Sequence, residues 1–447
     1  MRGKRFASFL GLNEVVHFEP KVNLLRREIM GARPKVVVLG GGFGGLEATF
    51  YLRYKLGDRV DLTLVSDRDY FLFKPNTIYI PFGEDPESFK VPLADAVKRK
   101  NIEFIKDVVR GVEPQPRKVG LGTREIGYDY LVVATGADLR PAEIPGLQEH
   151  AVTVWTPEEM LRLREALKKL VEEARSGMRR RLLFLIPPNN RCSGPLYEMC
   201  LMSDTWLRRQ GVRDLVDITW TTFEAGFIQA FGPRLDTVVA AEFEERGIKG
   251  FKGFVVTSVE PGVVKYQNGE TREYDLLVSF PPYIAKETYA TLPSDDRGFI
   301  HVEPDSRRVK GQACVFVAGD AADFPIKQAF LALLQGDAAA EHIAAEIMGK
   351  APQLKFEPMS MCVMEEFNRA TFAQVPLKYT DDPLKPVTVA TEQGNYKVGV
   401  SPMWRLGKKL LGVYAPWRFG HGEPFHAGFT WEAMDMGLKV MAKLMAE

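Results

Sequence analysis

Two stretches of the sequence hold residue types arranged for chemistry. Residues 191–195, Arg-Cys-Ser-Gly-Pro, set the thiol of Cys192 between an arginine and the first turn of an expected helix running through Tyr197 to Trp206. Free N–H groups at a helix start and an adjacent cation both favour the thiolate, the form of cysteine that attacks and exchanges sulfur. Residues 35–50, KVVVLGGGFGGLEATF, form a β-branched apolar run ending in Gly40-x-Gly42-x-x-Gly45, after which Leu46, Ala48 and Phe50 begin a helical pattern. Strand, tight turn and helix in that order let the backbone, with Phe43 and Gly44 inside the loop, approach a pyrophosphate. The helix start offers it free N–H groups and a positive dipole end.

The elements around these stretches are those of an α/β chain. At 447 residues and 45% apolar content it is too long for one core, so two or three domains are expected. Net charge is +1, which gives no bulk attraction to nucleic acid. No stretch reaches the roughly 18 apolar residues that cross a bilayer, and residues 1–33 carry charges throughout, without the apolar core of a signal peptide. A cytoplasmic protein is expected. Four cysteines, at 192, 200, 314 and 362, do not make a disulfide scaffold in so long a chain. Cys200 is eight residues beyond Cys192, about 12 Å along a regular helix, too far for a bond between them. Cys200 and Cys314 read as core thiols.

Residues 60–65 read as a second strand, and an acid near its end commonly binds an adenosine ribose; Ser66 and Asp67 both qualify. The following aromatic stretch to Lys74-Pro75 reads equally as a loop on a flat ligand or as core packing. Residues 102–105 suggest a further strand, with Val109 passing beside an adenine. A buried strand at 128–133 delivers Ala134-Thr135-Gly136, and another at 315–318 delivers Gly319-Asp320, whose carboxylate can accept from ribityl hydroxyls or cap the next helix. Midway, at 182–190, a strand leads into Pro187-Pro188-Asn189-Asn190. Two prolines fix φ and remove N–H donors, so this turn is poorly suited to a second pyrophosphate.

Over about residues 34–345 these pieces resemble, in order, the pyridine-nucleotide disulfide oxidoreductases and related flavoproteins with two dinucleotide-binding domains. The CSGPLYE segment, LVSDRDYFLFKPN at 64–76, the paired prolines of LLVSFPPY at 276–283 and MCVMEEFNRATFA at 361–373 resemble sulfide:quinone oxidoreductases and the related flavocytochrome c sulfide dehydrogenases. The resemblance implies FAD held by the first glycine turn and by Gly319-Asp320, with Lys327, on the following helix, near the pyrimidine end of the flavin. It implies that Cys192 and Cys362 meet on one face of the flavin as a disulfide or sulfur-bridged pair that accepts hydrosulfide and passes two electrons on. It implies organisation as an FAD-binding domain at 34–155 and 291–350, a second Rossmann-like domain at 156–290 without the nicotinamide fingerprint, and a quinone- and membrane-facing region at 351–447, with 1–33 as an extension. The third cysteine of many family members has no counterpart, because VTVWT carries Trp155 there; this predicts non-covalent FAD. Glu198 is the candidate base, its other role being a helix-surface or buried salt-bridge carboxylate.

Past residue 349 a hairpin is expected over 387–400, turning at Gly394-Asn395. Met403, Leu406, Leu410, Val413 and Trp417 recur at helical spacing with Arg405, Lys408 and Lys409 opposite, and Pro416 is expected to limit that helix. Trp431, Met434, Leu438, Met441 and Met445 make a second stripe. Each stripe reads either as a helix on its own core or as one lying in anionic headgroups. The resemblance favours the second and implies a membrane quinone acceptor, for which Phe367 and Phe372 are ring-stacking candidates. A homo-oligomer is compatible with it. Rival readings are a type II NADH:quinone oxidoreductase, a sulfide dehydrogenase donating to a cytochrome, and a non-catalytic flavin-binding redox sensor or assembly protein.

Overall fold

A computed structural model describes residues 33–382, 385–392, 394 and 396–446; residues 1–32 of the expected N-terminal extension at 1–33 and Asn395 of the expected turn lie outside the described residues. Val36, Val37, Val38 and Leu39 are buried on both faces, the pattern of a central parallel strand covered by helices. This strand, β1 (Lys35–Leu39), feeds α1 (Phe43–Leu56), β2 (Asp61–Ser66), β3 (Glu103–Lys106) and β4 (Tyr130–Val133). β5 (Val152–Thr153), α2 (Pro157–Arg175), β6 (Arg180–Ile186), α3 (Gly194–Arg209), β7 (Val216–Thr222), α4 (Gly232–Arg246), β8 (Lys249–Phe251) and β9 (Leu276–Ser279) follow. The chain then returns to the first sheet with β10 (Val315–Val317) and α5 (Ala329–Met348).

The first sheet runs β10-β4-β1-β2-β3 and the second β5-β9-β6-β7-β8, all pairs parallel. In each, the strand order reverses at the strand that opens the unit, β1 or β6. That switch point leaves a crevice beyond the strand ends, where doubly wound sheets bind ligands. Helix α2 starts at a capping box, Thr156 accepting from the Glu159 N–H while the Glu159 carboxylate takes the Thr156 N–H, which satisfies two otherwise orphan donors.

The C-terminal region is an antiparallel sheet, β11 (Met359–Glu365), β12 (Ala370–Tyr379), β13 (Val387–Val389) and β14 (Lys397–Ser401), and two helices, α6 (Pro402–Gly420) and α7 (Phe429–Met445). The expected hairpin over 387–400 is not formed: β13 and β14 both pair with β12, at 377–379 and 370–374. The ten residues of β12 give edge enough for both, so neither strand needs the other. Helix α6 also runs through Pro416. The proline forfeits one backbone bond, while Ala415, Arg418 and Phe419 are buried around it and hold the chain helical.

The stripe of α6 faces outward. Met403, Leu406, Leu410, Val413 and Trp417 are exposed, Val413 to 69%, whereas Trp404 and Lys408 are buried. In α7, Trp431 and Met434 pack on the main core and Met441 and Met445 on a small cluster with Trp404, leaving Phe429, Met436, Val440 and Leu444 exposed. No helix among the described residues is long and apolar enough to cross a membrane.

Buried charge ties the C-terminal sheet to the second Rossmann-like unit. The Arg246 guanidinium meets Asp204 at 3.0 Å, Glu242 at 3.1 Å and Glu366 at 2.7 Å. Removing one member of a buried ionic network leaves its partners uncompensated, at a cost of about 3 kcal/mol or more. Arg246→Met should therefore lower the thermal unfolding midpoint by several degrees while the folded fraction keeps its cofactor, as differential scanning calorimetry with flavin absorbance would read.

Candidate functional site

One large cavity, about 800 Å³, opens at the C-terminal ends of β1, β4 and β10 and reaches the turn after β6 and the strand β11. Its floor is backbone. Gly40 has φ +116°, and a Cβ there would lie 2.2 Å from the Ala134 carbonyl oxygen; a Cβ on Gly45 would lie 1.9 Å from the Gly40 carbonyl oxygen. Gly45 therefore closes the turn from behind and does not line the cavity, while Gly40, Gly42, Phe43 and Gly44 do. Gly42 heads α1, and a Cβ there would meet nothing within 4 Å, so the helix start is open on the cavity side. A Cβ on Gly44 would approach the Gly319 nitrogen to 3.0 Å, so the two glycine turns touch and bring Asp320 beside the first turn.

The walls collect the other expected cofactor residues: Ser66 and Asp67 at one end, Val109 beside them, Ala134, Thr135 and Gly136 along the floor, and Lys74, Pro75 and Lys327 at the other side. Ser66 Oγ accepts from the Arg68 N–H at 3.2 Å, and Asp67 pairs with Lys286 at 2.6 Å. Lys327 lies in the loop before α5, not on the helix, because α5 begins at Ala329. Its N–H donates to the Arg191 carbonyl at 3.0 Å, its ammonium to the Ala322 carbonyl, and it sits 3.7 Å over the Phe299 ring. The Lys74 ammonium lies 3.1 Å from the centre of the Trp155 ring, a cation–π contact. Burial lowers both ammonium groups to about 7, against the attraction of Asp320; an anion between them would draw them back up.

Cys192 and Cys362, distant in sequence, line this same cavity as free thiols. A Cβ on Gly194, two residues past Cys192, would lie 3.7 Å from Cys362 Sγ. The turn before Cys192 is knit in place: Asn190 accepts from the Cys192 N–H at 2.9 Å and donates to the Phe280 carbonyl at 2.8 Å, and the Tyr283 N–H donates to the Asn189 carbonyl at 3.0 Å. The expected thiolate stabilisation of Cys192 is outweighed. Burial pushes its thiol well above the ordinary value, with Cys362, Asp320 and Glu224 adding to the shift, and only the Gly194 N–H opposes it. Arg191 points away, 3.9 Å from Asp295 and over Phe299. Burial likewise raises Cys362 to about 12, with Glu198 adding and Lys408 subtracting.

The comparisons with known proteins agree with this geometry. Residues 34–181 match the family model described as pyridine nucleotide-disulphide oxidoreductase. The sulfide-quinone reductase of Aquifex aeolicus is 34% identical over 246 residues, an alignment spanning 53% of this chain and 55% of that protein, just over half its length. A mitochondrial sulfide:quinone oxidoreductase of Dictyostelium discoideum is 24% identical over 67% of this chain and 68% of its own. The X-ray structure of the Aquifex aeolicus sulfide:quinone oxidoreductase shares the fold, with TM-score 0.79 at 24% identity, covering 93% of this chain and 97% of that one.

The chain spans just over half the length of the curated sulfide-quinone reductase that it matches at 34% identity, and residues 34–181 carry the pyridine nucleotide-disulphide oxidoreductase domain.

The chain is an FAD-dependent flavoprotein, and the cavity has the cradle such a group requires: a bare helix start at Gly42, a second glycine turn against it, and the cavity-lining Asp320, whose carboxyl is raised by desolvation. Glu198 is a buried salt-bridge carboxylate that also lines the cavity. It accepts from the Glu365 N–H at 2.6 Å and from the Lys408 ammonium. Burial raises it to about 6 against the pull of Lys408.

Phe367 and Phe372 are off the cavity. Phe372 stacks on Trp404 at 3.9 Å and 11°, on the face of β12 turned to the C-terminal cluster, and Phe367, between β11 and β12, packs on Phe82 and Tyr79. Among the lining residues that the sequence does not mark as part of the site are Lys408, Glu224 and Tyr283. Lys408 was assigned to the polar side of α6 and is instead the buried side. Tyr283 follows the paired prolines and was within reach of that motif, whereas Glu224 carried no signal. Gly45→Ala should abolish flavin retention, since a methyl at 1.9 Å from a carbonyl opens the turn; the visible flavin absorbance of purified protein, relative to its protein absorbance, measures this.

Proposed function

We propose that this protein is a monotopic sulfide:quinone oxidoreductase with non-covalently held FAD, oxidising sulfide to sulfane sulfur or polysulfide through Cys192 and Cys362. The observation that carries the reading is the convergence of those two thiols on the dinucleotide cavity, in a chain whose second switch point has Pro187-Pro188 where a nicotinamide dinucleotide needs N–H donors. Bound FAD supplies a two-electron acceptor and donor. The chain's residues do the rest. As a bridged pair, the two cysteines accept hydrosulfide: a new S–S bond forms on one sulfur as the bridge breaks, and the other leaves as thiolate. Gly40, Gly42, Phe43, Gly44, Ser66, Asp67 and Val109 would hold the nucleotide half, with Gly45 as the support behind. Pro75, Ala134, Thr135, Gly136, Gly319 and Asp320 would hold the ribityl and ring half. Lys74 and Lys327 would offset negative charge gathered at the ring. Glu198 and Lys408 form a polar wall beside Cys362 able to carry protons.

For the acceptor, we read the exposed apolar residues of α6 and α7 as the surface that enters a bilayer interface. An apolar cavity of about 450 Å³ between these helices, lined by Leu410, Trp417, Met434 and Met441, shares Leu411 with the FAD cavity. A quinone passing between the helices would reach the flavin cavity at Leu411, Lys408 and Ala415, in place of the Phe367 and Phe372 contact.

Anaerobic sulfide should bleach the flavin of the wild type in one turnover, and Cys192→Ala and Cys362→Ala should each lose that bleaching by at least about a hundredfold. Rapid reduction by NADH with none by sulfide would overturn the reading in favour of a type II NADH:quinone oxidoreductase. Acid denaturation should release all flavin into the supernatant, where a covalent link would leave it with the protein. Leu410→Glu combined with Val413→Glu should abolish co-sedimentation with anionic phospholipid vesicles and leave sulfide bleaching intact.

A further inference from the structure

Behind the turn that carries Cys192 lies a buried carboxylate to which the reaction outlined above gives no task. Glu224 follows β7, lines the cavity and is 7% exposed. Its Oε1 accepts from the Ser193 hydroxyl at 3.1 Å and the Gln229 N–H at 3.0 Å; its Oε2 accepts from the Thr222 hydroxyl at 3.0 Å and the Tyr197 hydroxyl at 3.4 Å. Every partner is a neutral donor. The titratable groups that face it are Tyr197 on α3 and Cys192 on the turn before α3. Lys252, on the segment whose Gly253 N–H donates to the Glu224 carbonyl, is held by Asp236 at 3.0 Å. Elsewhere in the cavity Asp320 interacts with Lys74 and Lys327, Glu198 pairs with Lys408, and Asp67 with Lys286.

A buried carboxylate that only fastens a fold is ordinarily matched by a cation, as Glu366 and Glu242 are matched here by Arg246 and Arg369. Glu224 has the opposite design: donors enough for the anion, burial and no cation against it. Two protonation states are thereby brought close in energy, and burial raises the carboxyl to about 7 despite the four donors. One of those donors is the hydroxyl of Ser193, next in sequence to Cys192, and Cys192, Ser193 and Glu224 all line the same cavity. The anionic form of Glu224 raises the Cys192 thiol, so the two groups compete for one proton.

We infer that Glu224 stores the proton that Cys192 takes up and gives back in each turnover, acting as a positioning and proton-holding residue through the Ser193 hydroxyl; this rests on the sulfide chemistry proposed above. When hydrosulfide attacks the Cys362 sulfur of the bridged pair, the new S–S bond forms there as a persulfide. The old S–S bond breaks and its electron pair leaves with Cys192 as thiolate. A proton then moves from the Glu224 carboxyl to the Ser193 oxygen as the Ser193 proton passes to Cys192, leaving thiol and carboxylate with total charge unchanged. When Cys192 is next joined to the outer sulfur of the persulfide, an S–S bond forms that closes a three-sulfur bridge; bound FAD would accept the two electrons released and the persulfide proton, and the Cys192 proton returns to Glu224.

The FAD-bound protein tests this with two readouts. In the first, the rate of anaerobic flavin bleaching by sulfide is followed against pH. The wild type should lose rate as pH rises through the Glu224 titration, Glu224→Gln should be slower by on the order of a hundredfold and lack that limb, and Glu224→Asp should restore both rate and limb. In the second, iodoacetamide alkylation of Cys192 in dithionite-reduced protein is followed by mass spectrometry of its peptide; Glu224→Gln should move the pH midpoint down, because the competing anion is gone. An unchanged bleaching profile in Glu224→Gln, or an unchanged alkylation midpoint in a variant that keeps its flavin, overturns the inference. If sulfide bleaches no flavin in the wild type, the function proposed above falls, and alkylation alone decides whether Glu224 and Cys192 share a proton.

Discussion

Backbone in contact with backbone at Gly40, Gly44, Gly45 and Gly319 is the constraint on which the site depends. Those approaches, 1.9 to 3.1 Å for a hypothetical Cβ, let the strand ends of β1 and β10 and the start of α1 converge without bulky intervening side chains. The close pack continues outward: a Cβ on Gly336 of α5 would lie 2.7 Å from the Gly44 carbonyl oxygen, so the long helix that follows Asp320 is seated against the helix that follows the first turn. Everything the cavity holds is then placed relative to this bare seam. Any side chain in it would separate the two helices before it disturbed a ligand.

Around the seam the protein assembles a wall rich in buried charge. Lys74 on Trp155, Lys327 on Phe299 and Lys408 on Glu198 each bring a cation into low-polarity surroundings, and the burial that raises the thiols also lowers the lysines. Such surroundings resist creation of charge by any one group alone and favour paired changes, a proton or an electron pair moving with its counter-charge. The anchoring of the C-terminal region belongs to the same economy of charge. Glu47 of α1 accepts from the Phe425 and His426 N–H groups at 2.6 and 3.0 Å, and His426 meets Asp337 at 2.6 Å. The segment between α6 and α7 is thereby attached directly to the glycine-turn helix, which couples an outward apolar surface to the cofactor cradle.

Much of the fold was readable because it rests on local rules. The β-branched runs at 36–39 and 130–133 needed only burial on both faces to become central parallel strands, and the glycine spacing needed only a turn. The turn after β6 rests on equally local rules, since Pro187 and Pro188 act through their own φ and missing N–H. The misreadings lie where a distant contact outweighed a local preference. Pro416 did not stop α6 because Ala415 and Phe419 are packed; β13 and β14 did not pair with each other because β12 offered both a partner; Lys327 fell short of its helix; Phe372 went to Trp404 and not to a ligand. Lys408 is the sharpest case, assigned to the polar face of an amphipathic helix and found buried on Glu198, with the apolar stripe turned outward.

By itself the sequence determined the two parallel sheets, the tight glycine turn after β1 and the presence of a thiol at the head of α3, because glycine conformational freedom, proline rigidity and strand burial are properties of a few adjacent residues. Only the tertiary structure decided that Cys362 shares a cavity with Cys192, that Arg191 turns away and burial governs the thiols, and that Glu224 stands behind Ser193 without a cation. Those are statements about solvent exclusion and about side chains from separate strands meeting, and a linear spacing holds no record of either.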